Sequence, residues 1–405
     1  MAGLNLENYG NYGNYGNYGN YGNYGNYGNY GNYGNYGSAN SGTAISAAAG
    51  LINTHGTLAT PWNWDPVNCN LPQLDVNSRE TIENWSPDIR ATLFISELIY
   101  NIEFYSSSPN PGKEQPKATL SNGKNIICEI ERPATAKFAE ELNYIHTYSK
   151  LRMERAPEII SQIEDLLSYF GSVVGLHPAT KPWTFEFINA CLGASAGPIM
   201  QFKNALASRR PIEYYALVQP MIQTPSHSSF PSGHATQSYL IANILEHLFS
   251  TLSENKDVAS ARREQLQKLA ARISENRTVA GVHFPIDSMA GAVLGTSLAS
   301  YYLTKCGAKA ANTEPSSTNQ KDTKTSEAKH FYGWKFDPNE LGATRFYYNT
   351  IEHMSISKTA NSNKTAFTKS SEITTEKSEL LSWLWNEKVM PEWSSLGSIS
   401  NKDIK

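Results

Sequence analysis

Seven segments in the middle of the chain repeat apolar residues at the three- and four-residue spacing of an amphipathic helix. They cover residues 89–105, 136–151, 156–174, 185–207, 236–252, 258–274 and 286–303. Patterns that alternate apolar and polar residues, as strands do, are few and short. Because each helix must bury its apolar stripe against other helices, the sequence predicts an all-α fold, a helical bundle of about seven longer helices.

The N-terminal part of the chain has a different character, because residues 8–37 are ten copies of the tripeptide Asn-Tyr-Gly. A period of three residues fits neither a helix nor a strand, and a Gly in every repeat makes ordering costly. Without Pro the repeat is not collagen-like. We therefore expect residues 1–50 to form a disordered low-complexity arm and linker. The arm could serve self-association, and a neutral expansion of the repeat is the alternative.

Residues 51–307 are expected to form one helical domain, followed at 308–405 by a polar linker and a C-terminal extension. The stretch 310–328 is dominated by Ser, Thr, Lys, Asn and Glu without apolar periodicity, which is typical of a linker. Farther on, segments 331–346 and 380–393 contain enough aromatic residues to dock on the rest of the protein. The sequence does not indicate where they dock.

Charge and composition exclude several classes of protein. The formal net charge of −3 is not that of a general nucleic-acid binder. No apolar run reaches the roughly 18 residues that a spanning helix needs, and the N-terminus resembles no secretory signal. We therefore expect a soluble, cytoplasmic protein without a membrane span. Cys69, Cys128, Cys191 and Cys306 form no CxxC pair, so free buried thiols are expected, with a disulfide or metal cluster as the alternative.

Two basic residues stand seven positions apart near the end of a predicted helix. Lys203 and Arg210 are separated by about two helical turns, so they project from one face of the helix that Pro211 then ends. Such a pair could bind an anion. It could equally be a solvated basic helix end, favoured by the helix dipole.

A second group of polar residues lies at the start of the next apolar helical run. Ser232, Gly233 and His234 offer a hydroxyl, an unhindered backbone N–H and an imidazole at one point. Backbone N–H groups at a helix N-terminus favour an anion. The alternative is a plain capping segment in which Ser232 is the N-cap.

A third group combines Arg277, His283 and Asp287. The His and the Asp are four residues apart with Pro285 between them, so the pair should straddle a helix start. At that distance the carboxylate can accept a hydrogen bond from one imidazole nitrogen and raise the basicity of the other. A buried His–Asp hydrogen bond of purely structural use is the alternative.

Together these segments resemble the signature of the type-2 phosphatidic acid phosphatase (PAP2) and vanadium haloperoxidase superfamily. That signature reads Lys-x6-Arg-Pro, Pro-Ser-Gly-His and Ser-Arg-x5-His-x3-Asp, and this chain departs from it at Asn276, where the pattern has Ser. An Asn can still donate a hydrogen bond. The resemblance covers roughly residues 185–302 and implies the helical bundle fold of that superfamily.

The resemblance also implies an oxyanion site. Lys203, Arg210 and Arg277 would neutralise the equatorial oxygens of a phosphate or vanadate, and the Ser232 hydroxyl and Gly233 N–H would add hydrogen bonds. The resemblance further gives the two histidines different roles.

The imidazole of His283 would be the apical group, with Asp287 as its partner. In a phosphatase it is the nucleophile that forms a phosphohistidine, and in a haloperoxidase it is the ligand of the vanadium in vanadate. His234, on the opposite apical side, would be the acid–base group.

Several details favour the haloperoxidase branch. His234 is followed by Ala-Thr, which is typical of haloperoxidases, and the run from Gly281 to Asp287 resembles their version. His227 lies seven residues before His234, where algal bromoperoxidases carry a His, which favours bromide or iodide and a catalytic role. A surface-loop His is the alternative. Against this, Met200 stands where those haloperoxidases have a Trp, and Met is oxidised by hypohalous acid.

The sequence therefore predicts a vanadate-dependent haloperoxidase that oxidises halide with hydrogen peroxide. An acid phosphatase for small phosphoesters is the first alternative. A self-associating protein that acts through its Asn-Tyr-Gly arm is the second, and a homo-oligomer would be compatible with any of the three.

Overall fold

The structure is a computed structural model, and it describes residues 74–107, 115–123, 125–253, 255–308, 331–341 and 366–394. The predictions made for the Asn-Tyr-Gly arm and for Cys69 concern residues outside these ranges.

Helices make up most of the described chain. Their bounds are α1 Arg79–Glu83, α2 Pro87–Ile99, α3 Thr135–Tyr148, α4 Arg152–Ser161, α5 Leu167–Val174, α6 Pro182–Leu206, α7 Pro211–Tyr214, α8 Gly233–Leu252, α9 Lys256–Val279, α10 Pro285–Lys305, α11 Glu379–Trp383 and α12 Met390–Glu392. Short 3-10 turns at Ser149–Leu151, Ala216–Val218 and Pro338–Glu340 and a π-helical segment at Leu384–Val389 join some of them. The predominantly helical character that the sequence predicts is confirmed, and α6, α8, α9 and α10 contribute much of the main apolar core.

A five-stranded sheet packs against these helices, so the prediction of a purely helical chain is wrong. Its strands are β1 Glu103–Ser107, β2 Lys117–Asn122, β3 Asn125–Glu131, β4 Tyr332–Phe336 and β5 Phe367–Glu372, in spatial order β1-β2-β3-β4-β5. The neighbours are antiparallel except β3 and β4, which are parallel with Cys128 opposite Trp334. The C-terminal segments therefore add two strands to a sheet begun before the helical core.

The sheet was missed because its strands are short and give weak local signals. Residues 118–121 of β2 alternate apolar and polar side chains, as Ala-Thr-Leu-Ser, but the run is brief and all four residues are buried. Strand β1 lies inside the predicted helix 89–105, because Ile102 and Phe104 continue the apolar pattern after α2 has ended at Ile99. The pairing of β3 with β4 joins segments far apart in sequence, which no local pattern reveals.

The helix predicted at 156–174 is also two helices. Helix α4 ends at Ser161 and α5 begins at Leu167. The carboxylate of Asp165 accepts a hydrogen bond from the Ser168 N–H at 3.0 Å, which provides a local start for α5. The break leaves the C-terminal end of α4 pointing into the protein.

Two glycines in α10 allow it to cross α8 at short distance. A Cβ atom at Gly291 would lie 2.6 Å from the carbonyl oxygen of Ser232 and 2.7 Å from the Cβ of Ala235. Gly295 lies equally close to the backbone of Thr236, one turn farther along. Since only glycine fits at these points, the two helix starts that carry Ser232 and Asp287 come together.

The C-terminal segment closes over the start of α6. The carboxylate of Glu392 accepts hydrogen bonds from the backbone N–H groups of Trp183 and Thr184 at 2.8 and 2.9 Å. The indole N–H of Trp393 donates to the Thr184 hydroxyl at 2.8 Å. An acidic side chain from far along the chain thus caps this helix.

Within the described ranges, none of the helices combines the length and the apolar character that a bilayer crossing requires. Cys128, Cys191 and Cys306 are free and buried, which confirms the expectation for these three residues.

Candidate active site

The start of helix α8 is fixed by its own cap and by the start of α10. Ser232 is the N-cap, and its hydroxyl accepts a long hydrogen bond from the Ala235 N–H at 3.4 Å. The Ser232 N–H donates to the carbonyl oxygen of Asp287 at 2.9 Å. Gly233 and His234 form the first turn of the helix, so their backbone N–H groups lie where an α-helix leaves donors without partners.

His283 and Asp287 straddle the start of α10, as the sequence predicts. The Asp287 carboxylate accepts hydrogen bonds from His283 Nδ1 and from the Phe284 N–H, each at 2.9 Å, and from the Ser229 hydroxyl. Because a carboxylate only accepts, Nδ1 carries the hydrogen and Nε2 keeps its lone pair. That lone pair faces Arg210, whose Nη1 lies 3.1 Å away.

Lys203 and Arg210 are both buried, with 2% of each residue exposed. The ammonium of Lys203 lies 2.6 to 3.1 Å from the carbonyl oxygens of Ser228, Ser229 and Pro231, so each of its three hydrogens has an acceptor. Arg210 donates to the carbonyl oxygen of His227 at 3.0 Å and of Val282 at 2.9 Å. Both cations therefore line the site with positive charge while their hydrogens are already largely used by the protein.

Arg277 differs from the other two cations. Its Nη2 donates to the carbonyl oxygen of Ile159 and to Oε1 of Gln162, each at 3.1 Å. Within the part of the chain that the structure describes, its Nε and Nη1 have no hydrogen-bond partner, although the side chain is fully buried. Buried donors without acceptors are costly, and an oxyanion is the kind of group that would satisfy them.

The site holds more positive than negative charge. Burial lowers the pKa of Arg210 and of Arg277 to about 10, and it places that of Lys203 well below its usual value. Burial also raises the pKa of Asp287 to about 6, against the lowering effect of the Ser229 hydrogen bond. The charge of Asp287 acts on Lys203 and Arg210, whereas the charge of Glu158 acts on Arg277. A bound dianion would relieve the repulsion among the three buried cations. The residues present fit a phosphate or a vanadate.

The imidazole of His234 points the other way from that of His283. Its Nε2 lies 3.1 Å from the carbonyl oxygen of Gln162, so Nε2 carries the hydrogen and Nδ1 has the lone pair. Burial places the pKa of His234 well below its usual value, and the charge of Arg277 lowers it further. Burial and the charge of Arg210 do the same to His283. Both imidazoles are therefore neutral near pH 7 in the unliganded protein.

The structure places His227 beside Arg210, half-buried at the edge of the site. Its Nδ1 lies 3.1 Å from Nη2 of Arg210, the same guanidinium whose Nη1 contacts His283. Met200 lies one turn before Lys203 on α6, partly buried and packed against the main apolar core. The structure thus brings together the nine residues that the sequence singles out, which are Lys203, Arg210, His227, Ser232, Gly233, His234, Arg277, His283 and Asp287.

Two residues at the site were missed by the sequence reasoning. Ser229 contacts both members of the His283–Asp287 pair, since its hydroxyl donates to the carboxylate and lies 3.3 Å from His283 Nδ1. Its position three residues before Ser232 was a signal that could have been used. Gln162 contacts Arg277 and His234 from helix α4, and no local pattern connects residues so distant in sequence.

Asn276, which stands where the superfamily signature has Ser, still forms hydrogen bonds. Its Nδ2 donates to Glu158 Oε1 at 2.9 Å and to Gln162 Oε1 at 3.0 Å, and its Oδ1 accepts from Arg155 at 3.1 Å. Asn276 therefore connects the end of α9, which carries Arg277, to helix α4.

Comparison with known proteins agrees with this site. The model of the PAP2 superfamily matches residues 186–309, which run from the first turn of α6 to just beyond α10 and include every predicted site residue. The resemblance predicted from the sequence is therefore confirmed over this segment. The superfamily includes phosphatases and haloperoxidases, and its members are generally enzymes. No curated protein matches the chain.

Proposed function

We propose that this protein is a vanadate-dependent haloperoxidase that oxidises bromide or iodide with hydrogen peroxide. The observation that carries the proposal is the set of three buried cations beside the His283–Asp287 pair, one of which, Arg210, faces the lone pair of His283. Lys203, Arg210 and Arg277 would hold vanadate, with His283 as the ligand of its vanadium. When bound, vanadate supplies the Lewis acidity that activates hydrogen peroxide toward a halide ion.

The protein contributes charge and orientation. Arg277 would offer Nε and Nη1 to oxygens of the bound oxyanion, while Lys203 and Arg210 would balance its charge from buried positions. Asp287 keeps the hydrogen of His283 on Nδ1, so that Nε2 stays available. These groups are in place before any ligand arrives, which lowers the reorganisation that binding requires.

His234 is suited to proton transfer on the opposite side. In its neutral form Nδ1 can accept a proton from hydrogen peroxide, while Nε2 remains bonded to the Gln162 carbonyl. The positive charge of Arg277 disfavours a permanently protonated imidazole. The group can therefore take up a proton and return it within one reaction cycle.

His227 supports the preference for bromide or iodide. Its Nδ1 can accept a hydrogen bond from Nη2 of Arg210, which lies 3.1 Å away at the edge of the site. We propose that it adjusts the acid–base balance there, in the way implied by the His of algal bromoperoxidases at this position. A His227→Phe variant is expected to keep vanadate binding and to change the rates with bromide and iodide.

An acid phosphatase for small phosphomonoesters is the second candidate, and Met200 is the observation that favours it. A thioether one turn from Lys203 would be exposed to the hypohalous acid that a haloperoxidase makes. In the phosphatase reaction His283 Nε2 would attack phosphorus and form a phosphohistidine. His234, protonated, would give its proton to the leaving alcohol, and water would then release phosphate.

One experiment separates the two candidates. Purified protein, first freed of bound oxyanions, is assayed for bromination of monochlorodimedone with peroxide and bromide, with and without orthovanadate. Hydrolysis of p-nitrophenyl phosphate is measured in parallel. The haloperoxidase proposal requires bromination that depends on vanadate and is lost in His283→Ala. Hydrolysis without vanadate, inhibited when vanadate is added and accompanied by no bromination, would overturn it in favour of the phosphatase.

A further inference from the structure

Gln162 is a fully buried residue at the C-cap of helix α4, and each of its polar groups is used. Its Oε1 accepts hydrogen bonds from Arg277 Nη2 at 3.1 Å and from Asn276 Nδ2 at 3.0 Å. Its Nε2 donates to the carboxylate of Glu158 at 3.0 Å. Its backbone carbonyl oxygen lies 3.1 Å from His234 Nε2. One residue thus contacts both a cation and an imidazole of the site.

We propose that Gln162 is a positioning residue that directs Arg277 and His234 toward the bound oxyanion, and that its uncharged amide preserves the positive charge of the site. The inference rests on one part of the proposed function, the binding of a tetrahedral oxyanion. It does not depend on whether the reaction is halide oxidation or phosphoester hydrolysis.

The orientation of the amide is set by its neighbours. Oε1 receives two N–H donors, from Arg277 and Asn276, whereas Nε2 faces a carboxylate that can only accept. A flipped amide would place its N–H group against two donors and its oxygen against Glu158. The acceptor therefore stays directed at Arg277 Nη2, and together with the Ile159 carbonyl it fixes the guanidinium so that Nε and Nη1 remain for a ligand.

The backbone carbonyl of the same residue fixes the second group. A carbonyl oxygen cannot donate, so it selects the His234 form with hydrogen on Nε2 and a lone pair on Nδ1. This carbonyl also belongs to the end of a helix, where the backbone carries partial negative charge. The end of α4 therefore orients the arginine through a side chain and the histidine through the backbone.

The neutrality of Gln162 matters as much as its geometry. A carboxylate at this position would form an ion pair with Arg277 and cancel part of the positive charge of the site. The nearby Glu158 reduces the charge of Arg277 less than such a carboxylate would, because Glu158 is already paired with Arg272. Its oxygens accept three hydrogen bonds from Arg272 at 2.7 to 2.9 Å. An amide can hold the guanidinium without cancelling its charge.

Three variants of the full chain test this inference. Gln162→Glu adds a charge with little change of shape, and Gln162→Met keeps the length and removes both hydrogen-bonding groups of the side chain. Ile160→Glu is the matched control, because it adds the same charge to the same end of α4 at a side chain that is 57% exposed. Calorimetry would measure the affinity of the oxyanion-free protein for tungstate, a dianion, and for perrhenate, a monoanion of similar shape.

Gln162→Glu should weaken tungstate binding about tenfold or more and perrhenate binding by a smaller factor, because the repulsion scales with the charge of the ligand. Gln162→Met should weaken both anions by similar factors, and Ile160→Glu should leave both nearly unchanged because its charge is screened by solvent. Tungstate affinity of Gln162→Glu at the wild-type level, or an equal loss in Ile160→Glu, would overturn the inference. Should Gln162→Glu fail to fold, wild-type affinities in Gln162→Met would overturn it as well.

The inference and the proposed function can fail separately. Wild-type protein that binds tungstate with the expected pattern among the variants, yet brominates nothing with vanadate, would refute the haloperoxidase and support the role of Gln162. If the wild-type protein brominates with vanadate but its Gln162 variants bind both anions normally, the haloperoxidase proposal is supported and the role of Gln162 is refuted. Wild-type protein that binds neither anion would overturn the inference and the oxyanion site together.

Discussion

Replacing Gly291 with Ala should destabilise the protein and impair the site, although the new side chain is a single methyl group and Gly291 is not itself a proposed ligand contact. The added Cβ would lie 2.6 Å from the Ser232 carbonyl oxygen and 2.7 Å from Ala235 Cβ, whereas an ordinary contact begins at 3.4 Å. The nearest atom belongs to the backbone at the start of α8 and cannot rotate away. Helices α8 and α10 must therefore separate by several tenths of an ångström.

The size of the effect follows from two opposing contributions. Overpacking of this kind costs about 1–3 kcal/mol. Alanine recovers roughly 0.5–1 kcal/mol over glycine in a helix interior, so the net loss lies between about 0 and 2.5 kcal/mol, and the backbone contact at 2.6 Å places it in the upper half of that range. In a domain of this size each kcal/mol corresponds to about 2–4 °C in Tm. The same movement displaces Ser232 and His234 from His283, and a misplacement approaching 1 Å costs up to about 100-fold in rate.

Thermal unfolding and kcat/KM, measured on the same preparations, test this prediction. Gly197→Ala is the matched control, because no atom lies within 4 Å of its new Cβ and the position is an exposed one on α6. There the gain in helix propensity is partly offset by the following Pro198 ring, so Tm should stay unchanged or rise. A Gly291→Ala protein with wild-type Tm and wild-type kcat/KM would refute the argument that close helix approach builds the site.

Three further predictions concern the site and its support. His283→Ala should abolish activity and weaken vanadate binding by more than the roughly 10–100-fold that loss of an outer partner costs; tight binding in this variant would mean that the ligand is misassigned. Because the ionised form of Asp287 is the one that orients His283, kcat/KM should fall as pH drops through about 6, the pKa of that carboxyl. Removing the donor in Ser229→Ala raises this pKa and should move the acid limb up by about one pH unit, whereas Ser228→Ala should leave it in place; equal profiles would contradict the role of the hydroxyl. Glu392→Ala should cost about 0.5–2 kcal/mol of unfolding free energy in urea titrations, because α6 loses its cap, and an unchanged midpoint would argue against that contact.

Much of the site was readable from the sequence because its groups are local. His283 and Asp287 are four residues apart and meet across one helix start, as a local pattern can indicate. Ser232 acts as the N-cap that its position before an apolar helix predicted. The order of the helices was also readable, since each amphipathic pattern depends only on neighbouring residues.

Other features of the site depend on distant parts of the chain. Gln162 reaches Arg277 only because α4 ends where the sequence pattern predicted that a helix would continue. His227 could be a surface residue or a site residue by sequence alone, and the fold places it against Arg210. The charge of the site is a further example, because the burial of Lys203, Arg210 and Arg277 becomes visible only in the folded protein.

The sequence by itself therefore determined most of the helices, the Ser232 cap and the residues that resemble an oxyanion site. The tertiary structure decided that β3 would pair with β4, that Gly291 would bring α8 against α10, and that two nitrogens of Arg277 would have no partner among the described residues. The physical reason is the range of the interactions involved. Helix periodicity and capping arise within a few residues, whereas strand pairing, helix crossing and the burial of charge arise between segments that meet only after folding.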